Sequence, residues 1–193
     1  AMASLLTLLG AVLCSLMVSS EVVPQADFDL QAVRMAGEWY LIGIASNAQW
    51  FVKGKDKMKM GTTMITPTAD GGMELSFSGL SQNNTCRTMV NVANKTEVPG
   101  KFTYISRYWG YVSDLRMVDV KYDEYALSYS FNTMGNGTFV VDRLYGRDVE
   151  LSDELKEKFR QFSLQTGILP ENIVILPKNG TFTLVVKFYI KIP

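Results

Sequence analysis

Apolar residues in this chain come in short bursts, divided by turn chemistry at intervals of about ten residues. The first burst after the N-terminal region is Gly37-Glu38-Trp39-Tyr40-Leu41-Ile42-Gly43-Ile44-Ala45. Two glycines in a helix interior would each cost about 0.8–1 kcal/mol relative to Ala. Trp, Tyr and Ile in one short window suit a strand instead. Further strands are predicted over Met58–Thr66, Met73–Leu80, Cys86–Ala93, Lys101–Tyr108, Leu115–Lys121, Tyr125–Phe131 and Thr138–Tyr145. Between them stand Pro67 with Asp70-Gly71-Gly72, the polar run from Ser81 to Thr85, Pro99-Gly100, Trp109-Gly110-Tyr111, Asp123-Glu124 and Gly135-Asn136-Gly137. Asp-Gly between apolar runs is a hairpin signal. Eight short strands in series make an all-β meander that closes as a barrel or stacks as a sandwich.

Period-two alternation assigns faces. Phe102 and Tyr104 share one side of their strand, and the odd positions from Tyr125 to Phe131 are apolar or aromatic against Ser128 and Ser130. The expectation is that Tyr125, Leu127 and Tyr129 point to the interior. Asn47–Lys59 reads as a long loop carrying Trp50, Phe51 and the lysines 53, 55, 57 and 59. One segment changes period: Leu155, Phe159 and Phe162 recur at helical spacing behind Ser152-Asp153-Glu154, a capping hydroxyl followed by two carboxylates suited to a helix N-terminus. Gly167 supplies the stop, and a short strand follows at Ile173–Leu176. Upstream, residues 22–36 form a mixed arm with a helical turn expected over Leu30–Met35. Downstream, residues 181–193 alternate apolar and polar as an atypical tail strand with a sticky edge.

Composition narrows the function. Lys plus Arg and Asp plus Glu are 19 each, so there is no basic surplus for a nucleic-acid partner. His is absent, which removes the commonest metal ligand and general base; no metal and no cofactor are expected. Leu5–Val18 is apolar, too short to span a membrane, and followed by Ser19-Ser20-Glu21. Residues 1–20 therefore read as a secretory signal peptide, giving a secreted, extracellular product with its domain over residues 21–180. Four N-x-Ser/Thr sequons agree with export, at Asn83, Asn94, Asn136 and Asn179. Of the two cysteines, Cys14 falls in the leader. Cys86 is then an odd thiol, free to form a disulfide-linked dimer.

Gly37-x-Trp39 on the first strand, Tyr122-Asp123-Glu124-Tyr125-Ala126 between the sixth and seventh, and Arg147 after the eighth resemble, in order and spacing, the three signature motifs of the lipocalins. The resemblance runs from Phe28 to Asn179. Ala45-Ser46-Asn47-x-x-Trp50, Thr68-Ala69-Asp70-Gly71-Gly72 and Leu155-Lys156-Glu157-Lys158-Phe159 are most similar to the lipocalin-type prostaglandin D synthase group. The resemblance implies an eight-stranded antiparallel up-and-down β-barrel with one C-terminal helix packed outside. Such a barrel holds one small hydrophobic ligand: a retinoid, a fatty acid or a bile pigment. It also implies a floor of Trp39 under Arg147, with Gly37, Tyr122 and Asp123 as structural partners. The end of the sixth strand departs from the family, reading Val120-Lys121-Tyr122 where Thr-Asp-Tyr is usual.

The same group uses a thiol nucleophile eleven residues after the loop Trp, a count that lands on Gly61. Prostaglandin-H2 isomerase activity is therefore disfavoured, and a carrier with an enlarged cavity at Gly61 is expected. Matching strand positions makes Met60, Gly61, Thr63, Phe77, Tyr104 and Tyr145 candidate lining residues, with Tyr129 and Trp109 beside them. Trp50 and Lys55 belong to the loop at the open end, where Lys55 is placed to meet a ligand carboxylate.

Overall fold

The computed structural model describes residues 21–28, 32–80, 85–135 and 137–178. The leader, the tail from residue 181 and the sequons at Asn83, Asn136 and Asn179 lie outside the described residues. Among the described residues nine strands form one antiparallel sheet: β1 (Gly37–Ser46), β2 (Thr62–Pro67), β3 (Met73–Leu80), β4 (Cys86–Lys95), β5 (Lys101–Ile105), β6 (Val112–Lys121), β7 (Tyr125–Met134), β8 (Gly137–Gly146) and β9 (Ile173–Ile175). Each of β2 to β7 pairs with its successor, and β1 closes the ring between β8 and β2. Eight strands thus make the barrel, and β9 pairs with the second half of β1 outside it.

β1 closes the ring by dividing its length. Gly37–Tyr40 pair with β2, while Gly43–Ala45 pair with β9 on that same edge and with β8 on the other. A bulge between Leu41 and Gly43 provides the bend. Gly43 leaves its outer surface bare, and a Cβ there would lie 2.8 Å from Phe159 Cε1. The missing side chain lets the helix ring rest directly on the strand.

That helix, α2 (Asp153–Gln165), begins as its sequence predicts, with Ser152 Oγ accepting from Leu155 N–H at 3.2 Å. Its buried residue Phe159, laid on Gly43, belongs to a second hydrophobic cluster with Ile42, Leu144, Ile168 and Leu176. The first core is inside, built from Trp39, Ile65, Met73, Leu75, Phe102, Leu115, Met117 and Tyr145. The arm reaches it from below. Phe28 is buried edge-on against Phe102 at 5.7 Å, and Gln25 Oε1 accepts from Val120 N–H at 2.7 Å. The helical turn expected over Leu30–Met35 is observed as a 3₁₀ turn at Ala32–Met35.

Two local expectations are corrected. The stretch read as a loop over Asn47–Lys59 contains α1 (Gln49–Gly54) and a 3₁₀ turn (Lys55–Lys57), held by buried Phe51, so β2 starts only at Thr62. On β7 the interior positions are the even ones: Ala126, Ser128, Ser130 and Asn132 are buried, whereas Phe131 is exposed. The odd face carries Tyr125 and Leu127 to the outside, where Lys158 of α2 sits 5.4 Å from the Tyr125 ring and bonds Asp119. On this strand the large apolar residues face outward toward Asp119 and α2 while the inward positions are small or polar, so apolarity does not mark the inside.

The ring is not equally paired around its circumference. β3 and β4 share eight register pairs, but β4 and β5 share only Asn94↔Thr103 and Lys95↔Phe102, both near the Trp39 end. Above them the Tyr108 hydroxyl donates to the Thr88 carbonyl across the gap at 3.4 Å.

Candidate ligand-binding cavity

The closed end is built on Trp39. Its ring is fully buried, its Nε1–H donates to the Met35 carbonyl at 2.9 Å, and the Arg147 guanidinium lies 3.8 Å from the ring centroid. Arg147 also donates through Nε to the Tyr122 carbonyl (3.0 Å), through Nη1 to Glu38 (3.0 Å), and through Nη2 to Arg34 (2.9 Å) and Ala36 (3.0 Å). Gly37 is needed beside it. Its φ is 101°, and a Cβ there would stand 3.3 Å from Arg147 Nη1. Tyr122 stacks on Phe28 at 6.1 Å, and Asp123 pairs with Arg34 at 2.6 Å.

Above this floor the interior is lined by Thr63 and Ile65 of β2, Met73, Leu75 and Phe77 of β3, and Tyr104 of β5. Leu115 and Met117 of β6, Ser128 of β7, and Arg143 and Tyr145 of β8 complete the wall. The cavity among them is about 20 Å³. As it stands, this is room for a water or two rather than for a lipid. Aromatic rings narrow it toward the open end: Tyr104 meets Tyr111 at 6.3 Å and Tyr111 meets Phe139 at 5.4 Å.

Thr63, Phe77, Tyr104 and Tyr145 are thus brought together, as the strand matching expects. Six other candidates lie elsewhere. Trp50 and Trp109 are 50% and 65% exposed at the open rim. Lys55 turns outward, its ammonium bonding the Glu171 carbonyl and Asn172 Oδ1, the latter at 2.7 Å. Tyr129 is on the outer face under Arg116, 5.5 Å from its guanidinium. Met60 is buried in the second core, its N–H donating to the Pro177 carbonyl at 3.1 Å. Gly61 does not enlarge the cavity. A Cβ there would be 2.6 Å from the Ser78 carbonyl oxygen, so the β3 backbone already fills the place of a side chain.

Arg143 is the interior residue that pattern reading missed. It shares the inward parity of Tyr145 on β8 and lies opposite Ser128, so the placement of Tyr145 should have placed it as well. Its guanidinium lies 5.7 Å from the Phe77 ring centroid. The inner wall also holds buried oxygens without partners among the described residues: Asn91 Oδ1, Ser113 Oγ and Ser130 Oγ. Burial and neighbouring Tyr104 push the Tyr111 hydroxyl up to about 12, and burial raises Tyr145 too. Both are neutral phenols at physiological pH. Among the described residues no cluster of side chains is arranged to hold a metal ion, and Cys86 is an exposed free thiol at the rim end of β4.

A barrel pinned by Trp39 and Arg147, with an enclosed interior and an external helix, agrees with the comparisons. The family model described as "Lipocalin / cytosolic fatty-acid binding protein family" matches residues 36–180. A protein named lipocalin from Rhinella marina is 40% identical over 171 residues, covering 88% of this chain and 91% of its own. A prostaglandin-H2 D-isomerase from Mus musculus is 39% identical over 151 residues, covering 78% of this chain and 79% of its own. A solved structure reported as "The Siderocalin Ex-FABP functions through dual ligand specificities" superposes with a TM-score of 0.67 at 27% identity, over 77% of this chain and 97% of that one. The chain belongs to the lipocalin family.

Proposed function

We propose that this protein is a secreted carrier that holds one small hydrophobic molecule inside the barrel. The observation that carries the reading is the enclosed interior itself, walled by Ile65, Met73, Leu75, Phe77, Leu115 and Met117 above a sealed floor. An apolar interior with a few placed polar groups is the usual form of a small-molecule site. Occupancy by a retinoid or fatty acid requires the rings of Phe77, Tyr104 and Tyr111 to swing aside, since the space they leave is smaller than such a guest.

Carriage is favoured over isomerase turnover because the sequence has only two cysteines, Cys14 in the apolar N-terminal stretch and Cys86 on the rim, and glycine at position 61. Neither arrangement puts a thiolate beside a bound endoperoxide. Export and glycan attachment at Asn94, whose side chain is exposed on β4, belong to the same reading.

The test is fluorescence titration of the mature chain with a retinoid, a fatty acid and a bile pigment. Saturable binding at one site per chain is expected for at least one class, and no saturable response to any of them would overturn the proposal. Prostaglandin H2 turnover with glutathione should match a heat-killed control; a rate above it would restore the isomerase.

A further inference from the structure

We propose that Ser113, Ser130 and Asn132 form a polar wall inside the barrel, which selects apolar ligands carrying a hydroxyl or keto oxygen partway along the body. The proposal rests on the carrier reading and adds which member of a lipid series the barrel prefers.

β7 places Ser128, Ser130 and Asn132 at successive inward positions, and β6 sets Ser113 beside Asn132. All four are buried, and Ser128, at the foot of the column, lines the cavity. Successive inward positions on an antiparallel strand are about 7 Å apart, so these groups run along the barrel instead of meeting at a point. Asn132 spends its Nδ2 on the backbone, donating to the Ser130 carbonyl at 3.1 Å and the Phe139 carbonyl at 3.3 Å, which leaves Oδ1 as an acceptor. Ser113 Oγ and Ser130 Oγ have no partner among the described residues. Alanine would fill nearly the same volume as either serine without stripping a hydroxyl of its bonds to water. A hydroxyl buried in that state both donates to and accepts from any neutral oxygen that enters beside it.

The far side of the barrel has a different character. In the ring of eight strands β3 stands four places from β7, across the interior, and its inward residues are Met73, Leu75 and Phe77. A guest between the two walls meets hydrocarbon along one edge and hydroxyl and amide groups along the other. The rings that a guest has to displace stand beside the polar wall. Tyr104 is the register partner of Ser113, Phe139 is that of Asn132, and Tyr111 bridges their rings at 6.3 and 5.4 Å. Exchanging those rings for plain hydrocarbon leaves the two serines as unsatisfied as before. A guest with an oxygen at that depth supplies the bonds they lack.

The experiment offers the native protein an equimolar mixture of stearic acid and 12-hydroxystearic acid, and then one of stearic acid and 10-hydroxystearic acid. The competitors share head group and chain length and differ only in the added oxygen. After gel filtration the bound lipid is extracted and quantified by mass spectrometry. A purely apolar site favours stearic acid, because the hydroxyl has to leave water. Here the hydroxy acid is expected in excess, by about fivefold in at least one mixture. In the double variant Ser113→Ala, Ser130→Ala the ratio should turn in favour of stearic acid while total loading and Tm hold, since only unpartnered hydroxyls are removed. Equal or weaker loading of both hydroxy acids on the unaltered protein would overturn the proposal and leave the carrier reading standing. So would an excess that survives the double variant. Failure of all three acids to load the unaltered protein would overturn the carrier reading, and this proposal with it. The competition on the unaltered protein needs no variant to fold.

Discussion

Replacing Arg147 by Ala should cost the fold several kcal/mol without touching the cavity. The side chain stacks on a fully buried indole at 3.8 Å, a contact worth up to about 2 kcal/mol when desolvated. Its Nε bond to the Tyr122 carbonyl is partly buried and is worth about 1.5 kcal/mol as a charge-assisted bond. The three bonds to Glu38, Arg34 and Ala36 are exposed, and solvent competition reduces each to about 0.5 kcal/mol or less. The total is about 4 kcal/mol, which for a domain of this size lowers Tm by about 8–16 °C. Urea unfolding followed by far-UV circular dichroism, with Trp fluorescence as a second probe, measures it. Arg147→Lys should recover about half, since an ammonium stays over the ring but cannot reach the spread of carbonyls. If Arg147→Ala unfolds within about 1 kcal/mol of the unaltered chain, then Trp39 packing alone seals the floor.

Three further outcomes follow from local geometry. Burial pushes the Asp142 carboxyl up to about 7 from an ordinary 3.8, with Thr166 opposing the rise, so its stabilising effect is complete below about pH 4 and is lost as pH climbs through 7. Asp142→Asn, which still accepts from Thr166, should flatten that decline and raise Tm at pH 8, by up to about 4 kcal/mol of stability over three pH units at about 1.36 each; an unchanged pH profile would count against the buried charge. Gly61→Ala should destabilise by about 1–3 kcal/mol, because the new methyl meets the Ser78 carbonyl, and equal urea midpoints would show that β3 yields freely. A disulfide reagent should titrate Cys86 in the native chain without denaturant, and reductant should leave Tm unchanged; a Cys86 thiol that reacts only after unfolding would contradict its exposure.

Much of this architecture is legible from residue order because β-hairpins are local. The strand read over Met73–Leu80 has the observed limits, since Pro67 and Asp70-Gly71-Gly72 punctuate one side and a polar run the other. Trp39 and Arg147 meet as the family pattern implies, though they are far apart in sequence. What failed were judgements of facing. Tyr129 has the composition of an interior residue but lies outside, because Arg116 and the outer core cover that surface. Arg143 has the composition of a surface residue but lies inside, because the parity of β8 outranks polarity. Trp109 reaches the rim by a loop path that no period encodes. The short helix at Gln49–Gly54 carries no capping side chain, so nothing in the sequence announced it.

The brief ladder between β4 and β5 gives the barrel a direction in which to expand. Near Trp39 the sheet is a complete hoop, and widening it there would break backbone hydrogen bonds. Toward the rim the hoop is already cut between Cys86–Ala93 and the end of β5, and again where β1 leaves β2 for β9, so in cross-section it is a broken C rather than an O. Spreading the arms of the C forfeits side-chain contacts and the Tyr108–Thr88 bond but no ladder pair. The lower half therefore behaves as a rigid cup and the upper half as a compliant collar, able to widen around a guest while the floor keeps its shape.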